Sequence, residues 1–355
     1  MTPKTIIIAA GGTGGHIFPA LAIAKELQKL GAKIIFVGNK HSMEEQIISK
    51  TDITFEKINV QKLYRKFTFR HFLFPFKLIQ SIANSIRIIN KFKPDAFVGT
   101  GGFVSGSVGI AAKLKNIPIF LQEQNSYPGL TTKFLGKFAK NIFLGNENAR
   151  KYLPNEKSIF WGNPINISET IEKINFTKFG LKKDSFKIFL TGGSQGSAII
   201  NKVFFEIIDE LVANEIEIIW QVGKYTFPIY EKKIQPKKGI YGFDFTHEID
   251  KIYNSVDLVI ARGGALTLAE IETKKIPSII IPLPTAAENH QYFNALELKN
   301  KKVACIIKQE KLNSHTLKKE IYFMQNEIKN MKNNFSESKH LTAAINIASI
   351  IYERC

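Results

Sequence analysis

Four glycine-rich turns and a single histidine hold most of the chemistry that this sequence could perform. The first turn, in KTIIIAAGGTGGHIFPALAIAKEL, sets Gly11, Gly12, Gly14 and Gly15 directly before His16. Glycines let a backbone approach a ligand closely, and the free N–H groups and dipole of a helix start favour an anion. An imidazole at such a turn could take a proton, bind a phosphate, or serve structure alone. The other turns are TGGFVSGS from Thr100 to Ser107, TGGSQGS from Thr191 to Ser197, and RGGALTLAE from Arg262 to Glu270. Ser194 and Gln195 add a hydroxyl and an amide to the third. In the fourth, Glu270 stands nearly two helical turns beyond Gly264. A carboxylate there can accept two hydrogen bonds from neighbouring hydroxyls, which suits a ribose diol beside a phosphate-binding turn; an exposed helical glutamate is the plain alternative. Downstream, PLPTAAENHQYFNALELK presents Glu288, Asn289, His290 and Gln291 just before an expected helix. Those groups suit a sugar's hydroxyls or an ordinary polar cap.

The turns need elements to hold them, and the hydrophobic pattern supplies these. An Ile-rich run precedes Gly11, and Leu21, Ala24 and Leu27 follow Pro19 at helical spacing, so the turn joins strand to helix. Further strands are expected at Lys33–Val37, Asp95–Val98, Ile117–Leu121 and Asn141–Leu144, alternating with helical segments. Such βαβα alternation gives a parallel sheet covered by helices on both faces. WGNPIN near Trp161 closes the series, a polar Lys-rich stretch runs to Ser185, and the pattern restarts with FKIFLTGGSQGS, Ile216–Val222, a Lys-rich loop around Lys232–Lys238, and DLVIARGG. The expected organisation is a first domain over 1–162, a second over 163–336, and a tail over 337–355 whose helix, Leu341–Tyr352, could cross back to brace the first. Open α/β sheets bind ligands beyond the carboxyl ends of their strands. Two such domains facing one another would place four candidate anion-binding turns around a cleft. Each turn could equally be a tight connection with no ligand.

At 355 residues the chain is long enough for about two domains. Its 49 Lys and Arg against 31 Asp and Glu give a net charge of +18, which calls for an anionic partner, although a general bias toward Lys, Asn and Ile accounts for part of the excess. Cys305 and Cys355 stand far apart, without metal-site spacing or a disulfide framework, as in a reducing cytosol. No run approaches the ~18–20 apolar residues of a transmembrane helix, so a soluble or peripheral protein is expected. Residues 57–94 hold nine Lys or Arg and no acid, interleaved with Tyr64, Phe67, Phe69, Phe72, Phe74 and Phe76. That composition suits an anionic membrane surface, a core stripe with a solvated basic face, or, with no recognised motif in support, nucleic acid. Dinucleotide and P-loop chemistry are excluded, because Ile17 breaks GxGxxG, no acid ends the second strand, and GxxxxGK[ST] is absent.

Seven segments in order, GGTGGHIFPA, TGGFVSG, EQNSYPGLTTK, WGNP, TGGSQGS, RGGALTLAE and HQYFNA, resemble the MurG family of peripheral membrane glycosyltransferases of peptidoglycan synthesis. The resemblance spans Lys4 to Leu298. It implies an α/β GT-B fold of two Rossmann-like doubly wound domains facing across a cleft, with the last helix returning to the first domain. The implied reaction is inverting transfer of N-acetylglucosamine from UDP-GlcNAc to the C4 hydroxyl of the muramoyl sugar of lipid I, giving lipid II, at the cytoplasmic face of the inner membrane. It implies no cofactor, and no acidic cluster marks a metal site; the expected partners are UDP-GlcNAc, lipid I and an anionic membrane surface, not nucleic acid. His16 is the implied base. Donor contacts fall on Thr13, Gly14, Gly15, Asn125, Ser194, Thr246, Gly264, Ala265, Leu266, Thr267, Glu270, His290 and Gln291. Acceptor diphosphate contacts fall on Gly12, Gly14, Gly15, Gly101, Gly102 and Ser105, and membrane contacts on Tyr64, Phe67, Phe69, Phe72, Phe74 and Phe76. The chain departs from the pattern at Gln122, where the family often has His, at Asn166 in place of an Arg, and at Thr246 in place of an Ile-like residue. A UDP-GlcNAc 2-epimerase-like enzyme and a non-catalytic nucleotide-sugar-binding membrane subunit are the alternatives.

Overall fold

The computed structural model describes residues 3–60, 70–165, 172–235 and 237–355, with side chains of 70–74 left aside. The chain divides into two compact units, Met1–Asn166 with Lys339–Cys355, and Ile167–Ser338. The first is built on an all-parallel sheet of β1 (Thr5–Ala9), β2 (Lys33–Asn39), β3 (Thr54–Ile58), β4 (Ala96–Gly99), β5 (Ile119–Glu123), β6 (Asn141–Leu144) and β7 (Ser158–Phe160), ordered β3-β2-β1-β4-β5-β6-β7. The second holds β8 (Phe186–Thr191), β9 (Ile216–Gln221), β10 (Ile240–Phe243), β11 (Leu258–Ala261), β12 (Ser278–Ile280) and β13 (Ala304–Ile306), ordered β10-β9-β8-β11-β12-β13. Counted from its own first strand, each sheet begins 3-2-1-4-5-6, the Rossmann order, with the reversal beside β1 in one unit and beside β8 in the other.

The strand sequences explain this burial. In β1 the residues Ile6 and Ile8 enter one apolar cluster while Ile7 and Ala9 enter another on the opposite face. A strand covered on both faces has no position for a polar side chain, hence the unbroken aliphatic run. The helix Gly14–Lys29 and the C-terminal helix His340–Arg354 share the first cluster, the latter through Ala343, Ile347, Ala348 and Ile351. Lys4 Nζ donates to the carbonyls of Tyr352 (2.6 Å) and Cys355 (3.1 Å), which places a cation at the negative end of that last helix.

The long helix Arg70–Phe92 packs by its second half on the helix Gly102–Leu114, where Ser81 Oγ meets Ser107 Oγ at 2.9 Å. Its earlier part is different: Pro75, Phe76, Lys77, Ile79 and Gln80 are exposed. The Lys-rich loop expected around Lys232–Lys238 begins inside a helix, Phe227–Ile234, with Lys232 and Lys233 in its last turn. Tyr230 and Ile234 anchor that helix to the core, and its Lys residues sit where cations complement the helix dipole. Among the described residues, no helix is long and apolar enough to cross a membrane.

Candidate functional site

In the first unit the two glycine turns interlock. The backbone of Gly101 has φ +113, and a Cβ there would lie 2.7 Å from His16 Nδ1; Gly102 has φ +82, and a Cβ there would lie 2.3 Å from the carbonyl oxygen of Gly11. Only glycine combines these left-handed angles with so close an approach. Thr100 Oγ1 donates to the carbonyl of His16 (2.8 Å) and ties the turns together from the side. Thr13 precedes the helix in extended conformation and its side chain makes no capping bond, so the hydroxyl is available to a ligand beside the N–H groups of Gly14 and Gly15. Thr13, Gly12 and Gly15 are exposed. His16, half-buried between the turns, has its Nδ1 2.9 Å from Gln124 Oε1. Gln124 is a residue that sequence reasoning passed over, although it lies inside EQNS.

The next loop is held by Glu123. Its Oε1 accepts from the N–H and the side-chain amide of Asn125 (both 3.1 Å), and its Oε2 accepts from Gly129 N–H (3.1 Å). Asn125 is thereby fixed at the end of β5, in the same unit as His16. Ser105 departs from expectation. It is fully buried, and a Cβ on Gly99 would lie 2.4 Å from its hydroxyl oxygen, so the side chain faces the sheet.

The second unit gathers its candidates around Gly263 and Gly264, which lead from β11 into the helix Ala265–Thr273. A Cβ on Gly263 would lie 2.3 Å from the carbonyl oxygen of Gln291, so this turn packs directly on the helix His290–Asn300. That helix begins at His290 rather than after Gln291 as expected, because Glu288 and Asn289 both take left-handed angles (φ 50 and 54) and turn the chain sharply into it. Gln291 Oε1 accepts from Leu283 N–H (2.9 Å), and His290 Nδ1 donates to the carbonyl of Ala287 (2.7 Å). Ala265, Leu266 and Thr267 occupy the first turn, part-exposed. Ser194 is exposed on the other glycine turn, and Thr246 Oγ1 accepts from Glu248 N–H (3.0 Å) within its own turn.

Two charged groups dominate this unit. Glu270 Oε2 accepts from the Tyr253 hydroxyl (3.3 Å), while Oε1 has no partner among the described residues. Burial pushes the carboxyl up to about 7, with nearby Asp250 adding in the same direction and the Tyr253 hydrogen bond opposing. Arg262, half-buried, donates to the carbonyls of Ile281 (3.1 Å) and Pro282 (3.3 Å), to Ser197 Oγ (2.8 Å) and to Gln309 Oε1 (2.8 Å). All four acceptors are neutral, and burial brings the guanidinium down to about 10, so it stays cationic at neutral pH. It links the two glycine turns of the unit, and among the described residues no carboxylate pairs with its positive charge. Its place immediately before the glycine pair is the one sequence signal that could have found it. Asn166 falls outside the described residues, as do Tyr64, Phe67 and Phe69 and the side chains of Phe72 and Phe74; Phe76 is 73% exposed. Among the described residues, no three His, Cys, Asp or Glu side chains are grouped to hold a metal ion.

Residues 6–144 match the glycosyltransferase family 28 N-terminal domain, and residues 187–348 match the glycosyltransferase family 28 C-terminal domain. The chain belongs to glycosyltransferase family 28. Within it, the chain is 40% identical over 322 residues to a Flavobacterium psychrophilum protein named UDP-N-acetylglucosamine--N-acetylmuramyl-(pentapeptide) pyrophosphoryl-undecaprenol N-acetylglucosamine transferase, covering 88% of this chain and 87% of that one. A Bacillus subtilis protein of the same name is 34% identical, covering 88% of each. The crystal structure of Acinetobacter baumannii MurG superposes with a TM-score of 0.79 at 26% identity, over 99% of this chain and 100% of that one. The two Rossmann-like sheets of this family 28 member are therefore a GT-B α/β fold, and the resemblance to MurG read from the seven segments is confirmed.

Proposed function

We propose that this protein transfers N-acetylglucosamine from UDP-GlcNAc to the C4 hydroxyl of the muramoyl sugar of lipid I, with inversion, to give lipid II. The observation that carries the reading is 40% identity, across most of the chain, to a relative named for this transfer. The geometry of each unit supports a division of labour. The second unit takes the donor. Glu270 Oε1 has no partner among the described residues and suits a ribose diol, the N–H groups opening the helix Ala265–Thr273 and the Arg262 cation suit a diphosphate, and His290 and Gln291 suit the sugar hydroxyls. The first unit takes the acceptor, whose diphosphate meets Gly12, Gly14, Gly15, Gly101 and Gly102.

Displacement at the anomeric carbon needs a base for the acceptor hydroxyl and charge stabilisation for the departing UDP. His16 Nε2 is the base: the proton passes to it as the C4 oxygen attacks, and the electron pair of the breaking bond leaves on the diphosphate. Helix N-termini and Arg262 hold that developing charge. The exposed Phe76, Lys77 and Ile79 suit an anionic lipid surface and support a place at the cytoplasmic face of the membrane that carries the acceptor, while the transfer itself would be a step of cell-wall synthesis and so bear on cell shape and division. The test is release of UDP by the purified chain with labelled UDP-GlcNAc and a short-chain lipid I analogue. Release only when the acceptor is present is the expected result; release without it would support an epimerase-like enzyme, and none at all a binding subunit.

A further inference from the structure

We propose that Gln124 is a positioning residue for this reaction: its side-chain oxygen holds His16 as the Nδ1–H tautomer and so leaves Nε2 open to accept the proton. The proposal rests on the reading of His16 as base. His16 Nδ1 lies 2.9 Å from Gln124 Oε1. Which end of the amide faces the ring is decided at its other end. Gln124 Nε2 donates to the carbonyls of Thr100 (2.8 Å) and Gln122 (3.3 Å), and a carbonyl oxygen only accepts. The atom toward the imidazole is therefore the amide oxygen, itself an acceptor, and Nδ1 must carry the hydrogen. In the neutral ring Nε2 is then bare.

The amide cannot readily reverse, because it is locked from behind. One hydrogen of Gln124 Nε2 goes to Thr100 and the other is shared between the carbonyl and Oε1 of Gln122; Gln122 Nε2 donates to Asn163 Oδ1 (3.2 Å); Asn163 Nδ2 returns to the carbonyl of Gln124 (3.1 Å). Gln122, Gln124 and Asn163 are each 3% exposed or less, so water cannot substitute for a misdirected bond. At the far end Asn163 N–H donates to His340 Nδ1 (2.8 Å), which leaves that nitrogen bare and puts the hydrogen of a neutral His340 on Nε2. One buried network thus holds two histidines in opposite tautomers. Gln122, the departure from the family pattern, is the member that joins the side chain of Gln124 to that of Asn163.

In the reverse tautomer His16 would present an N–H to the acceptor hydroxyl and could take no proton from it. In the tautomer held here, Nε2 takes the proton, and the charge that the imidazolium gains is met at Nδ1–H by Gln124 Oε1. Gln124 touches no reacting atom, and its contribution is to kcat rather than to donor binding.

The test combines histidine-selective 15N NMR of the full chain at pH 8.5 with steady-state transfer kinetics. Wild type is expected to show His16 protonated at Nδ1 and His340 protonated at Nε2. Gln124→Met is expected to lose the preference at His16 and to lower kcat about 10- to 100-fold with KM for UDP-GlcNAc unchanged. Gln124→Glu, as the neutral acid, keeps an acceptor for Nδ1–H and an O–H for the Thr100 carbonyl that Gln124 Nε2 now serves; it is expected to retain the tautomer and more of kcat than the Met variant, and it also serves should the Met variant not fold. A wild-type His16 protonated at Nε2, or a tautomer and kcat unmoved by Gln124→Met, overturns the proposal. A tautomer shift at unchanged kcat also overturns it, and His16→Ala then separates the causes: an inactive His16→Ala leaves His16 as base with Gln124 dispensable, whereas an active one removes the base assignment itself.

Discussion

Replacing Glu270 by Gln should make the protein more stable and bind UDP less well, and both effects follow from one carboxyl. Burial raises this group from 4.5 to about 7. The folded protein therefore holds a proton that the unfolded chain releases between those values, so stability falls as pH rises from 4.5 to 7 and the full penalty is present above 7. At ~1.36 kcal/mol per tenfold change in proton affinity, that rise corresponds to roughly 3 kcal/mol. The residue is only part-buried, so solvent screening reduces this to about 1–2 kcal/mol. For a unit of roughly 170 residues that is about 2–8 °C in Tm. Gln keeps the acceptor for the Tyr253 hydroxyl and carries no charge. Thermal unfolding of both proteins at pH 5 and pH 8 is therefore expected to show the variant ahead at pH 8 by that amount, with the gap closing at pH 5. Calorimetry should show UDP affinity falling about 10- to 100-fold in the variant, since hydrogen bonds to a charged acceptor contribute ~1.5–3 kcal/mol. In wild type, UDP affinity should weaken as pH drops below 7 and the carboxylate is protonated. An equal Tm shift at both pH values refutes the electrostatic reasoning, and an unchanged UDP affinity refutes the ribose assignment.

His16→Ala is expected to reduce turnover by about 100-fold or more while calorimetric UDP affinity is kept; near-normal turnover removes it as base. Gly101→Ala forces a side chain into a backbone at φ +113 and to 2.7 Å from His16 Nδ1, so a loss of at least ~1 kcal/mol in stability and of most activity should appear in unfolding and transfer assays. Arg262→Met should weaken UDP far more than uridine, because the charge it removes serves the diphosphate; equal losses for the two ligands would place Arg262 outside the phosphate site. Phe76→Ser should weaken sedimentation with anionic vesicles while leaving Tm unmoved, since the side chain is 73% exposed; undiminished vesicle binding would remove it from the membrane contact.

The sequence was informative where physics is local. Ile6 to Ala9 could only be a strand covered on both faces, and a glycine pair after such a run marks a turn into a helix, which is how the first and fourth turns were placed. The strands it did not reveal are short or peripheral: β3, with Glu56 and Lys57 in it, and the four-residue β10 lie at sheet edges, and β7, β12 and β13 are three residues each. An eight-residue helix with Lys232 and Lys233 in its last turn reads as the start of a polar loop because its apolar face amounts to two buried side chains. Ser105 misled because its neighbours are ligand-type residues, while helical phase turns its own hydroxyl to the sheet. Gln124 and Arg262 stayed hidden for a different reason. Their partners lie 108 residues away at His16 and 65 residues away at Ser197, and no spacing rule connects them.

The central claim is transfer with inversion from a nucleotide sugar to the muramoyl C4 hydroxyl. NMR of the product formed from UDP-GlcNAc and a short-chain lipid I analogue tests it most directly, through the anomeric coupling and the linkage position. A β-linked N-acetylglucosamine on C4, formed one for one with UDP, is the expected result. An α-linkage, another position, or N-acetylmannosamine formed without acceptor would contradict it.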